Sequence, residues 1–352
     1  MFQDIMVDEM VKIREKRKLV LIDVRSPSEY RAATIPGSCN IPLFTDEERA
    51  EIGTLYKQTG VQAAKDKGLE VVSRKLPAFI KEFAAIEGEK AVFCWRGGMR
   101  SRTSATVLDL MGIKAYRLHG GVRAYRKWIV DTIEHMKISP KAYVLNGYTG
   151  SGKTKILNKL QDEDYPVIDL EGMANHRGSI FGQIGLDPHN QKMFDALFAE
   201  KVLTLNQSPY VLFEAESKRV GKVILPESIM EKKEEAVQIF VSIPLEERVR
   251  HILEDYQPED HQEECLQAFR MIKNRIHTPV AAKIEEDLLS GAFSSAIKLL
   301  LEFYYDPRYD HTARLYPEDH KIVLEVNNSD EALKEIKKIL RLNFSPASSG
   351  KR

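Results

Sequence analysis

The chain has 352 residues, 43% hydrophobic and 30% charged, which is more than one ordinary domain holds and enough apolar side chain for two cores. Its 52 basic and 52 acidic side chains leave a formal net charge of zero, so any nucleic-acid contact must use a local patch. No run approaches the roughly 18 apolar residues of a membrane span. Met1-Phe2-Gln3-Asp4 lacks a signal-peptide start, and Cys39, Cys94 and Cys265 have neither metal-ligand nor disulfide spacing. A monomeric cytoplasmic protein with no membrane partner and no structural metal is expected.

Leu19–Val24 reads as an apolar strand, and the serines and proline of Arg25–Tyr30 as a helix start. Ile35-Pro36-Gly37 is a turn and Asn40-Ile41-Pro42 extended chain. Helices are predicted over residues 47–67 and 74–85. The stretch Ala91-Val92-Phe93-Cys94-Trp95-Arg96-Gly97-Gly98-Met99-Arg100-Ser101 then runs from a strand through cysteine into a glycine loop, followed by a helical pattern over 104–111. A cysteine at such a strand end faces backbone N–H groups and a helix N-terminus, with Arg96, Arg100 and Arg102 nearby. That setting favours a thiolate and an anionic substrate. The anion loop would comprise Trp95, Arg96, Gly97, Gly98, Met99 and Arg100. Asp23 and Arg25 are read as structural, holding the sheet edge and the Cys94 loop by salt bridges.

Ala115–Leu118 is strand-like, His119-Gly120-Gly121 a turn, and residues 122–136 a helix. Alternation of strands and helices predicts a parallel sheet with helices on both faces. Between positions 96 and 127 stand Arg96, Arg100, Arg102, Lys114, Arg117, Arg123, Arg126 and Lys127 against a single acid, Asp109. Arg123, Arg126 and Lys127 are therefore the candidate contacts for an RNA partner. The first domain is expected over 1–135, with Ile138-Ser139-Pro140 as a joint.

The second domain, expected over 141–342, opens on the strand Ala142–Leu145 and the loop Gly147-Tyr148-Thr149-Gly150-Ser151-Gly152-Lys153-Thr154, with a helix after it. This is a phosphate-cradling loop in its required setting. Gly147, Thr149, Gly150, Ser151 and Gly152 would turn N–H groups toward phosphate, Lys153 would supply a point charge, and the Thr154 hydroxyl is placed as a Mg²⁺ ligand. Strands follow at 166–170, 210–213 and 236–243. Glu214 ends one of them, where its carboxylate would hold a metal-bound water. Asn175, His176 and Arg177, with Lys218 and Arg219, are candidates for binding a second substrate. Residues 246–304 read as a helical insertion, 322–326 as a last strand, 329–340 as a closing helix, and 343–352 as a disordered tail. The run Phe303–Tyr309 would either stack nucleobases or pack a helix end.

Ile22–Tyr30 with Ile35-Pro36-Gly37, the Cys94 loop and Leu118-His119-Gly120-Gly121-Val122 resemble a rhodanese domain. Fused to a P-loop domain, and with Cys94-Trp95-Arg96-Gly97-Gly98-Met99-Arg100-Ser101, Asp169–Ser179 and Glu214–Gly221, the whole resembles the tRNA 2-selenouridine synthase family. The resemblance implies an α/β fold, an N-terminal rhodanese-like domain followed by a P-loop kinase-like domain with a helical insertion. It also implies a substrate, tRNA carrying 2-thiouridine at the wobble position. The sulfur would be geranylated from geranyl diphosphate and then exchanged for selenium from selenophosphate, with Cys94 as the S-selanylcysteine intermediate. We assign selenophosphate to the Cys94 loop and geranyl diphosphate to the phosphate loop. The Cys-x5-Arg spacing also suits rhodanese-fold phosphatases. The alternatives are therefore a sulfurtransferase or phosphatase coupled to a P-loop kinase, and a nucleotide-sensing interaction module.

Overall fold

The structure, a computed structural model, describes residues 2–16, 18–313, 317 and 320–343. The polar tail expected from 343 onward lies outside the described residues, save Asn343 at the end of the last helix. The chain divides into two compact units: residues up to His135 with Asp195–Leu197, and the remainder.

The first unit carries a five-stranded sheet built from β1 (Gln3–Ile5), β2 (Leu19–Asp23), β3 (Cys39–Asn40), β4 (Glu89–Phe93) and β5 (Ala115–Leu118), in the order β1-β5-β4-β2-β3. Every pairing is parallel. Both faces are covered, so β2 and β4 are buried almost end to end instead of alternating. Helices α1 (Val7–Lys16), α2 (Pro27–Ala32), α3 (Asp46–Gln58), α4 (Val61–Ala84), α5 (Met99–Leu110) and α6 (Gly121–His135) connect the strands. Ile22, Val24, Phe83, Val92, Cys94 and Leu108 form one apolar core.

The two helices after β3 divide at a different place from that expected. The break between helices falls at Gly60, whose φ of 117° no L side chain adopts readily, and not between 67 and 74. Helix α4 then runs through Pro77, giving up one backbone hydrogen bond. Its buried Ala64, Val72, Phe79 and Phe83 recur at helical spacing, and that packing outweighs the missing bond.

The second unit has β6 (Lys141–Gly147), β7 (Val167–Ile168), β8 (Tyr210–Glu214), a small hairpin of β9 (Arg219–Val220) and β10 (Val223–Ile224), then β11 (Val237–Ser242) and β12 (Lys321–Glu325). The main sheet runs β12-β11-β6-β8-β7, again wholly parallel. Its helices are α7 (Lys153–Asp162), α8 (Leu170–Ala174), α9 (Gln191–Leu205), α10 (Glu227–Glu234) and α16 (Ser329–Asn343). Between β11 and β12 comes the insertion: α11 (Leu245–Tyr256), α12 (Gln262–Ile272), α13 (Thr278–Ser290), α14 (Phe293–Leu300), a π-helical turn at Leu301–Tyr305, and α15 (Asp306–Ala313). The insertion has its own core around Leu266, Phe269, Ile284 and Phe293, separate from the core under the sheet around Leu145, Leu157, Ile239 and Ile336.

Strand β7 is shorter than expected because Asp169 caps α8, accepting a hydrogen bond from Gly172 N at 2.8 Å. The central strand β6 delivers the phosphate loop, and β8 delivers Glu214 beside it.

Candidate functional site

Cys94 lies one residue past β4, at the carboxyl end of the first sheet. Its backbone carbonyl accepts a hydrogen bond from Val122 N at 3.0 Å, and Trp95 O accepts one from Arg123 N at 3.0 Å. The loop is thus pinned to the start of α6. A Cβ on Gly121 (φ 57°) would lie 2.0 Å from Cys94 O, and one on Gly97 would meet Gly120 N at 2.7 Å. These backbones touch, which only glycine permits.

The sulfur is buried with 3% of the residue exposed, and it lies 3.2 Å from Ser101 Oγ in the first turn of α5. Sequence reasoning assigns Ser101 no role; a serine three positions into a helix beside the cysteine's strand end is the available signal. Trp95 and Met99 are exposed apolar side chains on the same loop.

The arginines divide into struts and free surface. Arg100 makes a two-pronged ion pair with Glu29 in α2, at 2.5 and 3.2 Å. Burial disfavours the Glu29 carboxylate, but the Arg100 hydrogen bond and charge outweigh it and hold its pKa below the ordinary value. Arg117 pairs with Asp4 and donates to Gly97 O at 3.2 Å. Arg25 is committed to Asp23, with 2.6 Å between Nη2 and Oδ2, and to Ala33 O. The Asp23–Arg25 pair therefore ties β2 to its own loop, and the Cys94 loop is braced by Glu29 and Asp4 instead. Arg126 is paired with Asp195 at 2.6 Å, so of the three RNA-contact candidates only Arg123 and Lys127 are exposed.

In the second unit the phosphate loop turns on Gly147 (φ 146°), Gly150 and Gly152 (both φ 80°). Lys153 Nζ folds back onto the loop, donating to Gly147 O at 2.9 Å and Tyr148 O at 3.2 Å. Ser151 N donates to Tyr148 O, so this amide closes the loop instead of facing a ligand. The loop is held from outside by the insertion: Arg248 Nε donates to Thr149 O at 2.9 Å while its guanidinium grips Asp306. His251 Nδ1 lies 2.9 Å from Gly150 O.

The loop opens on a cavity of about 420 Å³. Three groups on its wall escape a reading of the sequence alone: Glu171, Glu216 and Lys233. Thr154 Oγ1 donates to Glu171 Oε2 at 2.8 Å, the Glu171 and Glu216 side chains hydrogen-bond each other, and Lys233 Nζ donates to Glu216 O at 2.6 Å. Glu214 does not reach the cavity. It is buried, with Oε1 accepting from Glu171 N at 2.5 Å. Burial, then the charges of Asp169 and Glu171, push its pKa well above the ordinary range, and its Oε1 braces the Glu171 backbone. Burial, then Glu171, raise Glu216 to about 8, against the pull of Lys153. The acidic spacing Glu214-x-Glu216 at a strand end is the legible signal for this cluster.

A pH dependence follows. The unfolded chain releases the Glu216 proton near 4.5 and the folded one only near 8, so its contribution to stability is lost as pH rises through that interval. Glu216→Gln lacks the titration. Its melting temperature should gain on the parent progressively between about pH 5 and about pH 8. A difference that stays constant across thermal melts at those pH values would show that Glu216 titrates normally.

The remaining candidates are not brought to the cavity together. Asn175 adopts the left-handed conformation (φ 47°) that ends α8 and donates to Asp187 O. His176 is buried against Gly182 and Gly221 and accepts from Gly178 N. Both are structural. Arg177 does line the cavity, stacked over Tyr256 at 4.7 Å. Lys218 and Arg219 are exposed around the β9–β10 hairpin and are absent from the cavity wall. The aromatic run divides: Tyr304 is buried in the insertion core and Phe303 is exposed, while Tyr305, Arg308 and Tyr309 stand on the cavity wall, Tyr309 meeting Tyr148 and Lys153 at the loop.

Residues 6–127 match the family model of the rhodanese-like domain, and residues 140–274 that of the tRNA 2-selenouridine synthase AAA domain. Over 342 residues, 87% of this chain and 93% of its relative, the sequence is 33% identical to a tRNA 2-selenouridine synthase of Sulfurovum sp. (strain NBC37-1). The chain belongs to the tRNA 2-selenouridine synthase family. A family member from Shewanella piezotolerans is 31% identical over 86% of this chain and 92% of its own length. One from Nitrosomonas europaea is 37% identical over 67% of this chain, and the match spans 63% of that relative, less than two-thirds of its length. The N-terminal rhodanese domain and the P-loop domain after it are thereby shown, on mixed α/β units with parallel sheets.

Proposed function

We propose that this chain converts 2-thiouridine at the wobble position of tRNA to 2-selenouridine in two chemical steps. In the first, the thiouridine sulfur attacks C1 of geranyl diphosphate; a C–S bond forms, the C–O bond breaks, diphosphate leaves and the base loses its N3 proton. In the second, selenium derived from selenophosphate takes the place of sulfur at C2, and geranylthiol departs. The phosphate loop is our candidate for the diphosphate, with Gly150, Gly152 and Lys153 as its cradle. Thr154 and Glu171 form an oxygen pair that would hold a Mg²⁺ there, and the ion would neutralise the leaving group. Cys94 is our candidate for releasing selenium: its thiolate would attack the phosphorus of selenophosphate, an S–P bond forming as the P–Se bond breaks. The freed selenide would attack C2 as geranylthiolate leaves, and water would then cleave the S–P bond to release phosphate and restore the thiol.

The observation that carries this reading is that one family-matched chain holds both a braced thiol loop beside a helix N-terminus and a phosphate loop opening on a large cavity. Mass spectrometry of wobble nucleosides from cells lacking the gene, fed with selenium, tests it. Loss of 2-selenouridine is expected, and an unchanged level would remove the proposal.

RNA affinity must come from few contacts, since net charge is zero. We place the flanking phosphates over the exposed Arg123 and Lys127, leaving Arg126 to its ion pair. Replacing both by glutamine should weaken tRNA binding and reduce the log–log salt slope by roughly 0.7–0.9 for each phosphate left without its cation. Thermal stability should hold. Unchanged affinity and slope would move the docking surface elsewhere, with the exposed Arg250, Arg270 and Arg275 and the half-buried Lys273 of the insertion next to be tested.

A further inference from the structure

Among the described residues, the wall of the phosphate-loop cavity carries four tyrosines, and they differ in exposure. Tyr304 is buried, Tyr256 and Tyr305 are half-buried, and Tyr309 in α15 is exposed, with 37% of its surface open to solvent. Its ring lies 6.2 Å from that of Tyr148, and the Lys153 ammonium sits over it at 5.8 Å. The neighbouring Arg308 is tied to the π-helical turn, donating to Tyr304 O with its guanidinium over the Tyr304 ring. That tie fixes the start of α15 and holds Tyr309 at the phosphate loop. An open aromatic face beside a phosphate-binding cation is a stacking surface for a nucleobase.

The same wall includes Ala215, Glu216 and Ser217, and the β9–β10 hairpin begins just after them. Val220 and Val223 are buried, and Gln191 in α9 exchanges two hydrogen bonds with the Ile224 backbone, at 2.8 and 2.9 Å. The hairpin is thereby anchored, with Lys218, Arg219 and Lys222 exposed on it. No acid stands between Ser217 and Ile224 in the chain. The result is a short cationic ledge at the lip of the cavity.

The two features together select a ligand. A free nucleotide commits its phosphates to Gly150–Thr154 and has none left for cations beyond the wall. A single-stranded polynucleotide has both a base for Tyr309 and backbone phosphates for the ledge.

We infer that the second unit carries an RNA site of its own, in which the thiouridine base stacks on Tyr309 and the phosphates flanking it lie on Lys218, Arg219 and Lys222. The inference rests on the diphosphate reading of the phosphate loop proposed above and adds to it the residues that present the nucleophile. A base on Tyr309 lies beside Lys153, the cation of the diphosphate cradle, and the carbon under attack is one oxygen away from that diphosphate. Lys153 leaves the ring face as it turns to a phosphate oxygen. Tyr309 offers a face and not a proton, so its hydroxyl is dispensable.

Steady-state geranylation of an anticodon stem-loop RNA carrying 2-thiouridine, by the whole chain with Mg²⁺, tests the assignment. Tyr309→Ala should raise KM for the RNA about tenfold and Tyr309→Phe should restore it, while KM for geranyl diphosphate holds in both. A residue that only shapes the loop would raise KM for geranyl diphosphate instead, and that result overturns the base site. Replacing Lys218, Arg219 and Lys222 by glutamine should reduce the log–log salt slope of kcat/KM for the RNA by about 0.7 for each phosphate left without its cation. An unchanged slope overturns the ledge. Selenation of RNA supplied already geranylated should run at the parent rate in Tyr309→Ala and in the triple variant, and an equal loss in the two reactions overturns a site that serves the first step. If the parent transfers no geranyl group and binds only ATP, the diphosphate reading falls and the inference with it. If the parent geranylates and the variants match it in KM and slope, the inference alone falls.

Discussion

Cys94→Ser is expected to abolish 2-selenouridine formation, by at least about 10³-fold, and to leave S-geranyl-2-thiouridine accumulating in tRNA. The substitution exchanges one small atom for another at a buried position, 3.2 Å from the Ser101 hydroxyl, which can hydrogen-bond either. The loop does not depend on the sulfur for its shape. Arg100–Glu29, Arg117–Gly97 and the close approach of Gly121 to Cys94 O all persist. Thermal stability should therefore stay near that of the parent. What disappears is nucleophilicity, since a thiol yields thiolate at neutral pH and a hydroxyl does not. Geranylation needs the thiouridine sulfur and the diphosphate site, so it should continue. Nucleoside mass spectrometry separates the outcomes. Loss of both products would give Cys94 a part in the first step, and normal 2-selenouridine would exclude it from the second.

The two loops are legible because each is contiguous in the chain. A strand, a cysteine or glycine turn, and a helix start follow one another within about a dozen residues, and local rules of turn and helix initiation read them directly. The braces are not legible. Glu29 lies 71 residues from Arg100, Asp4 lies 113 from Arg117 and Asp195 lies 69 from Arg126. A run of arginines therefore looks more free, and more basic, in sequence than folding leaves it. Asn175 and His176 mislead for a related reason. Polar residues after a strand resemble ligand-binding groups, yet backbone amides and carbonyls in a packed loop need partners of their own. Those two side chains supply them, at Asp187 O and Gly178 N. Glu171 and Glu216 go the other way, since they look like ordinary loop residues until β7 and β8 set them side by side. Helix α9 escapes notice because its apolar residues occur nearly all round it, with Phe194 stacked on Phe198 at 5.9 Å and Ala199 and Val202 also buried, so no one-sided stripe shows.

Lys153→Ala should lower geranylation by about 10²–10³ while sparing selenation of RNA that is already geranylated. Diphosphate leaves carrying the charge that develops as the C–O bond breaks, and Lys153 is the cation on the loop beneath it. In the free protein its ammonium is satisfied by Gly147 O and Tyr148 O at 2.9 and 3.2 Å, so it is held at the loop and has only to swing to a phosphate oxygen. It also offsets the acid pair across the cavity, since its charge favours ionised Glu171 and Glu216. Removing it has two consequences of one sign. The leaving group loses its compensating cation, and what remains ionised of the acid pair repels the incoming diphosphate without opposition. The deficit should therefore appear in both kcat and KM for geranyl diphosphate, and added Mg²⁺ should recover part of the KM deficit, because a divalent ion screens the same acids. The loop fold should survive, as Arg248, His251 and Asp306 hold it from the insertion side. Supplying S-geranyl tRNA bypasses the damaged step, and selenation at the parent rate is the expected result. If the variant geranylates normally and instead loses ATP binding, the loop is a nucleotide site and the diphosphate must bind elsewhere.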